Sequence, residues 1–400
     1  MIKNCIKNLF GLAIIFTLLG TITISSASAY ACPTHTKILK HAMTILANDN
    51  KIDIYDFFKS SPYYSNLMAG TIEPDIDESN PGAHYYIYSE SSSVTGNYFK
   101  NAKGNYSRSA RTNFEEHYST ALNMYFSGYE DKAFNSLGKA IHYLSDISCT
   151  AHSTEMTYSI FDSKNPHKVY ETYVTNNSDK FIASTANETY DYVLSKPFSE
   201  ILNNLSKQSS QYEYEASSND PNLYDKSIEN TVPVAEKLTA ALLNRFYKDI
   251  NNPTDIKYIE NGKEYYIKNV NSLKYMTATG NNIVQDSFQG NDSQKFKVSK
   301  NFDGSFTLTP SNSKKVLSIK WNWASFRIDD LKLSYSLKPN LSNYFKPVFC
   351  ENGYFRIMTG LSKYTEVLNV CDSSKESCAE IVCSMYDPDE ISSYWIFEEC

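Results

Sequence analysis

Three histidines and two carboxylates lie close together in the sequence, and two pairs among them repeat a spacing of four. His142 and Asp146 form the first pair, His167 and Glu171 form the second, and His152 lies between the pairs. Residues four apart in an α-helix project from nearly the same face, so each pair offers two ligand atoms side by side. Imidazole nitrogens and carboxylate oxygens are donors that zinc accepts. One such pair alone is more often a surface ion pair, but two pairs with a third histidine favour a metal site.

Helices are needed to position these side chains, and the apolar spacing of the surrounding sequence predicts them. The predicted helices span residues 36–48, 114–126, 132–149, 181–194, 198–205 and 234–247, with another through Glu171. His152 would point away from Asp146 if the helix over 132–149 continued, so this helix is expected to end near Cys149 and Thr150. The tripeptide Val232-Pro233-Val234 is interpreted as the start of the last helix.

The order and spacing of the site residues resemble the signature of a known family. This chain has His142-Tyr-Leu-Ser-Asp146, Thr150-Ala-His152 and His167-Lys-Val-Tyr-Glu171. These motifs are similar to the His-Tyr-x-Gly-Asp, Pro-x-His and His-x-x-x-Glu motifs of the bacterial zinc-dependent phospholipases C, which include the clostridial alpha-toxins. Ser145 replaces the glycine of that signature, Thr150 replaces the proline, and Ser153-Thr-Glu155 replaces a small residue followed by an asparagine. None of these departures removes a ligand, and the resemblance implies an all-α catalytic domain that binds three zinc ions.

The same resemblance implies the remaining ligands. In the family the mature N-terminal residue binds one zinc ion through its amino group and carbonyl, together with a histidine shortly after it, and these roles fall on Tyr30 and His35. A Pro-Asp turn and a later histidine correspond to Asp75 and His84, with Asp77 as an alternative to Asp75. The implied ligand set is therefore Tyr30, His35, Asp75, His84, His142, Asp146, His152, His167 and Glu171.

The resemblance also implies how these ligands divide the work. Asp146 would bridge two zinc ions, and Asp75 could act as a general base or as a ligand only. Asp75, His84 and His142 would complete one site, and His35 with the amino group of Tyr30 would complete another. The third site would be formed by His152, His167 and Glu171. The implied reaction is hydrolysis of the phosphodiester of phosphatidylcholine-like phospholipids to diacylglycerol and a phosphorylated headgroup.

The first 29 residues have the character of a secretory signal peptide. Lys3 and Lys7 precede an apolar run over 9–19 that is too short to span a bilayer, and Ala27-Ser28-Ala29 provides a cleavage site. A second site, Ala29-Tyr30-Ala31, remains an alternative. We therefore expect a secreted, extracellular protein. Removal of two lysines and no acidic residue changes the formal net charge from −7 to −9, which argues against nucleic acid as the main partner.

Cysteines are concentrated near the C-terminus. Cleavage after Ala29 leaves seven of the eight cysteines, and five of these seven lie between Cys350 and Cys400. An odd number in an exported chain predicts at least one free or intermolecular thiol, with disulfides as the first interpretation of the others. The absence of a Cys-x-x-Cys motif disfavours a zinc-thiolate cluster.

The composition changes after residue 252. Alternating stretches such as Tyr265-Tyr-Ile-Lys268, separated by Asn, Asp, Gly and Ser turns, predict strands. Aromatic residues recur every 49 or 50 positions at Phe296, Phe345 and Trp395, and this threefold repeat resembles a ricin-type β-trefoil. The predicted fold class is multidomain α + β, with a signal peptide over 1–29, an α-helical phospholipase C domain over 30–252 and an all-β trefoil over 253–400.

Ricin-type modules often bind sugars through a carboxylate in each lobe. In this chain the expected aspartate positions hold Thr277, Ser318 and Asn369. Because an asparagine can still hydrogen-bond a sugar hydroxyl, Asn369 and Trp395 of the third lobe are the predicted carbohydrate-binding residues. A structural or lipid-docking role of the trefoil remains an alternative. The expected partners are a phospholipid membrane surface and cell-surface carbohydrate, and we expect a monomer.

Two other functions are compatible with the sequence. One is that of the single-strand-specific zinc nucleases of the same superfamily, which share the three-zinc site. That branch usually ends its last pair with Asp after a longer interval, so Glu171 and the 15-residue gap from His152 to His167 favour a phospholipase. The other is a binding protein with a disabled catalytic site, which the complete ligand set disfavours. His41 and His117 fall outside the pattern and are given no role in the site.

Overall fold

The computed structural model describes residues 32–77, 81–88, 108–154, 156, 165–252, 258–322, 327–336, 340–350, 353–361, 366–387 and 390–400. Helices occupy the first part of the chain and strands the second, which confirms the predicted fold class. The helices are α1 Cys32–Asn48, α2 Ile52–Lys59, α3 Tyr63–Gly70, α4 Glu73–Asp77, α5 Ala110–Phe126, α6 Glu130–Ser148, α7 Thr150–Ser153, α8 Pro166–Asn177, α9 Glu188–Ser195, α10 Phe198–Ser210, α11 Glu213–Ser217 and α12 Pro221–Asn251. Two short 3-10 helices, Pro81–His84 and Ser178–Lys180, lie between them.

Local sequence signals explain where several helices start. Ser109 caps α5, Asn165 caps α8 and Asp220 caps α12, each by accepting a hydrogen bond from a backbone N–H of the first turn. These N–H groups have no partner within the helix itself. In α8 the donor is the backbone N–H of His167, at 3.1 Å from the Asn165 oxygen, so the cap also fixes the start of a helix that carries two predicted ligands.

The prediction that Pro233 lies at the start of the last helix is wrong. Helix α12 begins at Pro221 and continues through Pro233 to Asn251. A proline in a helix interior removes one backbone hydrogen bond and costs about 3 kcal/mol. Apolar residues on both sides of it, including Ile228, Val232 and Ala235, are buried in the helical domain. Tertiary packing of this face outweighs the local cost, so the helix stays continuous.

Two glycines allow α3 and α6 to approach each other closely. A β-carbon on Gly138 would lie 2.2 Å from the carbonyl oxygen of Leu67 and 2.8 Å from the α-carbon of Gly70. Any side chain at either glycine would therefore force the two helices apart. The close contact holds Thr71, the residue after α3, beside α6, where its carbonyl accepts a hydrogen bond from Nδ1 of His142 at 3.0 Å.

The second domain is a closed barrel with three additional hairpins. The described strands are β1 Glu264–Asn269, β2 Tyr275–Thr279, β3 Asn282–Asp286, β4 Lys295–Lys300, β5 Phe306–Pro310, β6 Val316–Asn322, β7 Arg327–Ser334, β8 Phe345–Cys350, β9 Tyr354–Thr359, β10 Glu366–Val370, β11 Ile381–Met385 and β12 Tyr394–Glu399. Strands β1, β4, β5, β8, β9 and β12 each pair with the next, and β12 closes the ring by pairing with β1. Strands β2–β3, β6–β7 and β10–β11 form the hairpins. The repeated aromatic residues Phe296, Phe345 and Trp395 lie on β4, β8 and β12 and are fully buried, so the sequence repeat marks the core of this trefoil.

Helix α5 joins the two domains. It packs against α6 on one side and against β8 on the other, where the Ser119 hydroxyl accepts a hydrogen bond from the backbone N–H of Phe349 at 2.7 Å. Two largely buried carboxylates of α5 face cations of the trefoil. Glu115 forms an ion pair with Arg356, and Glu116 forms one with Lys346 at 2.8 Å. The domains are therefore held together by largely buried ion pairs as well as by this hydrogen bond.

None of the helices in the described ranges is long and apolar enough to cross a lipid bilayer. Among the described side chains, no disulfide joins any two of these six cysteines: Cys149, Cys350, Cys371, Cys378, Cys383 and Cys400. The disulfides considered for the C-terminal cysteines are therefore not formed in these ranges.

Candidate metal centre

Eight of the nine predicted ligands lie in the described part of the chain, and the structure gathers them into three neighbouring groups. Within each group one ligand atom from each residue lies within 4.8 Å of the others. The groups are His35, Asp75 and His142; His84, His142 and Asp146; and His152, His167 and Glu171. All eight side chains are buried. The ninth predicted ligand, Tyr30, lies outside the described residues.

Asp146 lies at the centre of the first two groups. Its Oδ2 lies 2.8 Å from Nδ1 of His84 and 3.2 Å from Nε2 of His142, and its Oδ1 lies 3.6 Å from Nε2 of His35. Asp75 approaches the same nitrogens of His35 and His142, at 3.8 and 3.7 Å. A carboxylate whose two oxygens face different histidines is arranged to bridge two cations.

The third group combines two histidines and one glutamate. Nε2 of His152 lies 3.0 Å from Nε2 of His167, and both nitrogens approach Oε1 of Glu171, at 3.2 and 3.0 Å. Two imidazole lone pairs at this separation repel each other unless a proton or a metal ion lies between them. Two imidazole nitrogens and one carboxylate oxygen form a ligand set that is common at catalytic zinc sites.

Hydrogen bonds on the far side of the rings fix which nitrogen faces each group. Nδ1 of three histidines hydrogen-bonds a backbone carbonyl. Nδ1 of His142 bonds the carbonyl of Thr71 at 3.0 Å, Nδ1 of His152 bonds that of His84 at 3.0 Å, and Nδ1 of His167 bonds that of Met156 at 2.9 Å. A carbonyl oxygen only accepts, so Nδ1 carries the proton and Nε2 of the neutral ring keeps a lone pair. In all three residues Nε2 faces the other ligands, which is the arrangement that orients a metal-binding histidine.

The carboxylates give the centre a negative potential. Burial lowers the pKa of His142, but the charges of Asp146 and Asp75 and the hydrogen bonds outweigh burial and raise this pKa to about 9. Burial raises the pKa of Asp146, but His142 and His84 hold it well below its usual range. Asp146 therefore stays ionised and favours positive charge beside it, a demand that a divalent cation satisfies.

Two families match the chain in sequence. Residues 34–219 match the model of a family described as zinc dependent phospholipase C, and residues 255–325 match one described as ricin-type beta-trefoil lectin domain-like. Over residues 34–219 the chain is therefore similar to the zinc-dependent phospholipase C family. It is therefore an enzyme, a zinc metallophosphodiesterase of the phospholipase C type, followed by a lectin-like domain. The first match includes every described ligand, from His35 to Glu171.

Individual proteins are also similar to the chain. A protein named phospholipase C from Paraclostridium bifermentans is 25% identical over 315 residues, which cover 71% of this chain and 77% of that protein. The crystal structure of Clostridium perfringens alpha-toxin from an avian strain covers 94% of this chain and 98% of its own at 16% identity, with a TM-score of 0.46. A ricin B-like lectin of Macrolepiota procera, solved with lactose, covers 36% of this chain and 100% of its own at 15% identity, with a TM-score of 0.31. The family matches, rather than these likenesses, carry the assignment.

The residues of the phospholipase C domain fit bound zinc. Nε2 of His84 and Oδ1 of Asp146 are buried and make no hydrogen bond among the described residues. Leaving a buried polar atom in this state costs roughly 1–3 kcal/mol, which coordination to a metal would offset. The donors are nitrogen and carboxylate oxygen, and this combination suits zinc better than calcium or magnesium.

The ligands come from six elements. His35 lies on α1, Asp75 on α4, His84 on the 3-10 helix after α4, His142 and Asp146 on α6, His152 on α7, and His167 and Glu171 on α8. Helix α6 ends at Ser148, as the ligand spacing predicts, because Cys149 has an extended backbone conformation with φ −75° and ψ 121°. Helix α7 then starts afresh at Thr150 and directs His152 towards α8.

Two residues beside the centre were not predicted to have a role. Ser145 Oγ lies 2.6 Å from Nδ1 of His35, and the ring of Tyr85 stacks on His152 with centroids 4.3 Å apart. Each of the two follows or precedes a predicted ligand in the sequence but contacts a different ligand in space. The available signals were adjacency to a ligand and, for Ser145, its replacement of the glycine of the family signature, because the tertiary contact that pairs each residue with its histidine leaves no local pattern.

The two remaining histidines lie outside the three groups. Nδ1 of His41 lies 2.6 Å from the buried carboxylate of Glu236, which also accepts a hydrogen bond from the backbone N–H of Ala183. His117 on α5 stacks on Tyr143, with ring centroids 5.7 Å apart. Both histidines thus have packing or ion-pair partners that account for their positions.

The positions of the lectin-like domain that correspond to sugar-binding aspartates take part in internal hydrogen bonds. Thr277 accepts from the Gln294 amide at 3.0 Å, Ser318 accepts from Asn343, and Asn369 accepts from Ser392. Thr277 and Ser318 are buried, whereas Asn369 is half-buried. Of the three positions, only that of Asn369 combines an amide with partial exposure, and its role in carbohydrate binding stays a prediction.

The structure corrects the prediction that Trp395 contacts carbohydrate. Its side chain has no exposed surface, and its indole N–H donates to the carbonyl of Leu368 at 3.0 Å. The ring packs inside the barrel with other aromatic residues and cannot present a face to a ligand. The repeat that identified Trp395 therefore reports the trefoil core.

Proposed function

We propose that this protein hydrolyses the phosphodiester bond of membrane phospholipids of the phosphatidylcholine type and releases diacylglycerol and a phosphorylated headgroup. The observation that supports this proposal most strongly is the convergence of eight buried imidazole and carboxylate side chains in three adjoining groups. Cations held at three adjoining positions would complement the negative charge that a phosphodiester and its transition state carry. The same arrangement supports three zinc ions as the cofactor.

We assign the third zinc ion to His152, His167 and Glu171 and place Asp146 between the other two. In the structure His35 lies with Asp75 and His142, rather than apart from them as the family resemblance implies. His142 belongs to both of the first two groups, so it could serve either ion. Bound zinc supplies Lewis acidity towards phosphoryl oxygens and makes water more acidic.

Asp75 is the proposed general base. It lies on the five-residue helix α4, almost completely buried, and its two oxygens face His35 and His142 at 3.8 and 3.7 Å. A carboxylate at the edge of two metal groups can accept a proton from water that enters the centre. Tyr85 stacks on His152 with ring centroids 4.3 Å apart and so covers one face of that ring.

We further propose that Tyr30 begins the mature, secreted chain and that its amino group completes the site of His35. A free α-amino group has a pKa of about 7.7–8.0, so a metal ion has to displace only a loosely held proton at neutral pH. A version that begins Met-Tyr30 is expected to lose about one zinc ion per molecule and most of its activity, with unchanged helical circular dichroism. Full activity and full zinc content of that version would refute the role of the amino group.

The lectin-like domain is proposed to hold the enzyme at its target surface. Ion pairs from Arg356 and Lys346 to α5 attach this domain to the helix that packs on α6, which carries the ligands His142 and Asp146. A fixed attachment of this kind suits docking on a phospholipid membrane or on cell-surface carbohydrate, with the lobe of Asn369 as the candidate sugar site. The expected unit is a monomer.

The proposal is tested by supplying zinc-replete protein with phosphatidylcholine vesicles and, in parallel, with single-stranded DNA. Release of phosphocholine without cleavage of the DNA is the expected result. Cleavage of DNA without release of phosphocholine would instead support the nuclease alternative. Turnover of neither substrate by protein that has bound zinc would support a binding protein with a disabled site.

A further inference from the structure

Ser145 occupies the position at which the zinc-dependent phospholipase C signature has glycine. It lies on α6 directly before Asp146, and its side chain is completely buried. Its Oγ lies 2.6 Å from Nδ1 of His35, which is 110 residues away in the sequence. A hydroxyl in this position is in direct contact with the ring of a candidate zinc ligand.

The direction of this hydrogen bond follows from the other contacts of the hydroxyl. Ser145 Oγ lies 3.0 Å from the carbonyl oxygen of Ile141 and 2.8 Å from that of His142. Carbonyl oxygens only accept, so the single hydroxyl proton goes to one or both of them, as is usual for a serine inside a helix. A lone pair of Oγ is therefore left to accept the proton that His35 carries on Nδ1.

The proton on Nδ1 decides which nitrogen of His35 can bind a metal. A neutral imidazole that is protonated on Nδ1 keeps its lone pair on Nε2. Nε2 is the nitrogen that lies 3.6 Å from Asp146 and 3.8 Å from Asp75. In the other tautomer an N–H would point towards the two carboxylates, and Nε2 could not coordinate a cation.

His35 differs in this respect from three of the other ligands. In His142, His152 and His167, Nδ1 donates to a backbone carbonyl, and this bond fixes the same tautomer. A substitution of the acceptor residue does not remove its backbone carbonyl. His35 obtains it from a side chain, and a glycine at position 145 would offer no acceptor there. We propose that Ser145 is a positioning residue that selects the metal-binding tautomer and ring orientation of His35. This inference rests on the proposed zinc-binding role of the centre.

The matched variants are Ser145→Ala and Ser148→Ala. Ser148 lies on the same helix and is also completely buried, but its hydroxyl donates to the backbone carbonyl of Ser145 at 2.7 Å rather than contacting a histidine. Each substitution removes one buried oxygen and introduces the same residue, so their effects on helix stability are comparable. Ser145→Gly, which restores the residue of the family signature, is a third variant.

The first measurement is the affinity for zinc, by competition of each full-length variant with a graded series of chelators. In Ser145→Ala and Ser145→Gly one bound zinc ion is expected to be held about 10- to 100-fold more weakly, which is the usual effect of removing the outer partner of a metal-binding histidine. The other two ions are expected to keep their affinity, and Ser148→Ala should behave as the natural protein. Equal zinc affinities of Ser145→Ala and Ser148→Ala would overturn the inference.

The second measurement reports the tautomer directly and needs no metal. Nitrogen NMR of the metal-free protein labelled at its seven histidines resolves Nδ1–H from Nε2–H forms, with His35 assigned by a His35→Gln variant. We expect His35 to carry its proton on Nδ1 in the natural protein and in Ser148→Ala, and to gain the Nε2–H form in Ser145→Ala. A proton on Nε2 in the natural protein, or an unchanged tautomer in Ser145→Ala, would contradict the inference. Failure of the natural protein to bind zinc would instead refute the proposed function and leave this tautomer result standing.

Discussion

The metal centre and the lobes of the lectin-like domain both contain buried polar side chains, but the two regions satisfy them in opposite ways. In the metal centre two ring nitrogens that both keep lone pairs, those of His152 and His167, lie 3.0 Å apart. In the first lobe the Gln294 amide donates to Thr277 at 3.0 Å and to the carbonyl of Ser287 at 2.9 Å. Converging lone pairs require a proton or a metal ion between them, whereas paired donors and acceptors need no bound ligand. The difference separates a binding site from a structural contact in two regions that are equally buried.

The largest effect that tests this comparison is expected for Asp146→Asn. The amide keeps the shape of the side chain but removes the charge that faces both of the first two groups, so we expect loss of zinc and a rate at least about 10³-fold lower, since metal stabilisation of several kcal/mol is lost. Elemental analysis and hydrolysis of phosphatidylcholine vesicles measure the two effects. Asp179→Asn is the control, because that carboxylate is exposed and pairs with Lys37 at 2.7 Å. Unchanged zinc content and near-normal activity of Asp146→Asn would contradict the bridging role.

The second effect concerns the contact between the two regions. Arg356→Met leaves the largely buried Glu115 with Arg111 as its remaining cation, at 3.0 Å. Breaking a buried pair in this way is expected to lower the free energy of unfolding by about 3 kcal/mol. Lys263→Met breaks an exposed ion pair with Glu399 in the same domain and is expected to cost less than about 1 kcal/mol.

Tryptophan fluorescence during denaturant unfolding measures this second effect, because all three tryptophans lie in the lectin-like domain. Zinc content should stay the same in both variants, since no ligand is touched. Equal stabilities of the arginine and lysine variants would show that the ion pairs on α5 contribute little to holding the domains together.

The sequence predicts the parts of the centre that depend on local geometry. His142 with Asp146 and His167 with Glu171 repeat a helical spacing, and the position of His152, which would point away from Asp146 in a continued helix, predicts where α6 ends. His35, Asp75 and His84 lie on other elements, and their approach depends on contacts such as that between Gly70 and Gly138. Such tertiary contacts leave no periodic signal, so only the family resemblance identified these ligands. The role of Ser145 could not be predicted for the same reason.

The errors in the fold have a common physical origin. Local propensity disfavours proline inside a helix and so predicts a helix start at Pro233, but packing on both sides of it keeps α12 continuous. Aromatic residues serve both in binding sites and in cores, so the sequence predicts a sugar-binding role for Trp395 that its complete burial excludes. In each case the burial of side chains in the folded protein determines the role of the residue, and burial cannot be read from the local sequence.

The third test concerns a histidine that lies outside the centre. Burial lowers the pKa of His117 to about 3, and the charge of Glu116 offsets this only in part. Between pH 6.5 and 3 the unfolded chain therefore binds a proton that the folded chain does not, so stability falls as the pH falls through this range. His117→Gln should make the decline between pH 6.5 and 4.5 shallower by up to one bound proton, as measured by denaturant unfolding at a series of pH values.

His41 provides a control of opposite sign for the pH test. Its hydrogen bond to Glu236 raises its pKa above the ordinary value, so it contributes stability below pH 6.5 that is lost as the pH rises through the folded pKa. His41→Gln should therefore lower the stability by a constant amount below pH 6.5 and change the pH dependence only above pH 6.5, where the natural protein gains stability as the pH falls through the folded pKa. A decline that is the same in the natural protein and in His117→Gln would show that the pKa of His117 is not lowered in the folded chain.

The smallest effect, and the one that could break the comparison, is expected for Asn369→Ala. Asn369 accepts a hydrogen bond from Ser392 and donates one to Ser384 at 3.3 Å, so as a structural residue it should contribute about 1 kcal/mol to the stability of the lectin-like domain. Unfolding followed by tryptophan fluorescence measures this contribution, and zinc content and vesicle hydrolysis should not change. If the variant instead keeps its stability but no longer binds glycan-coated surfaces that the natural protein binds, the third lobe holds a ligand as the metal centre does. The two regions would then differ in the chemistry of what they bind, a cation in one and a sugar in the other, rather than in whether they bind at all.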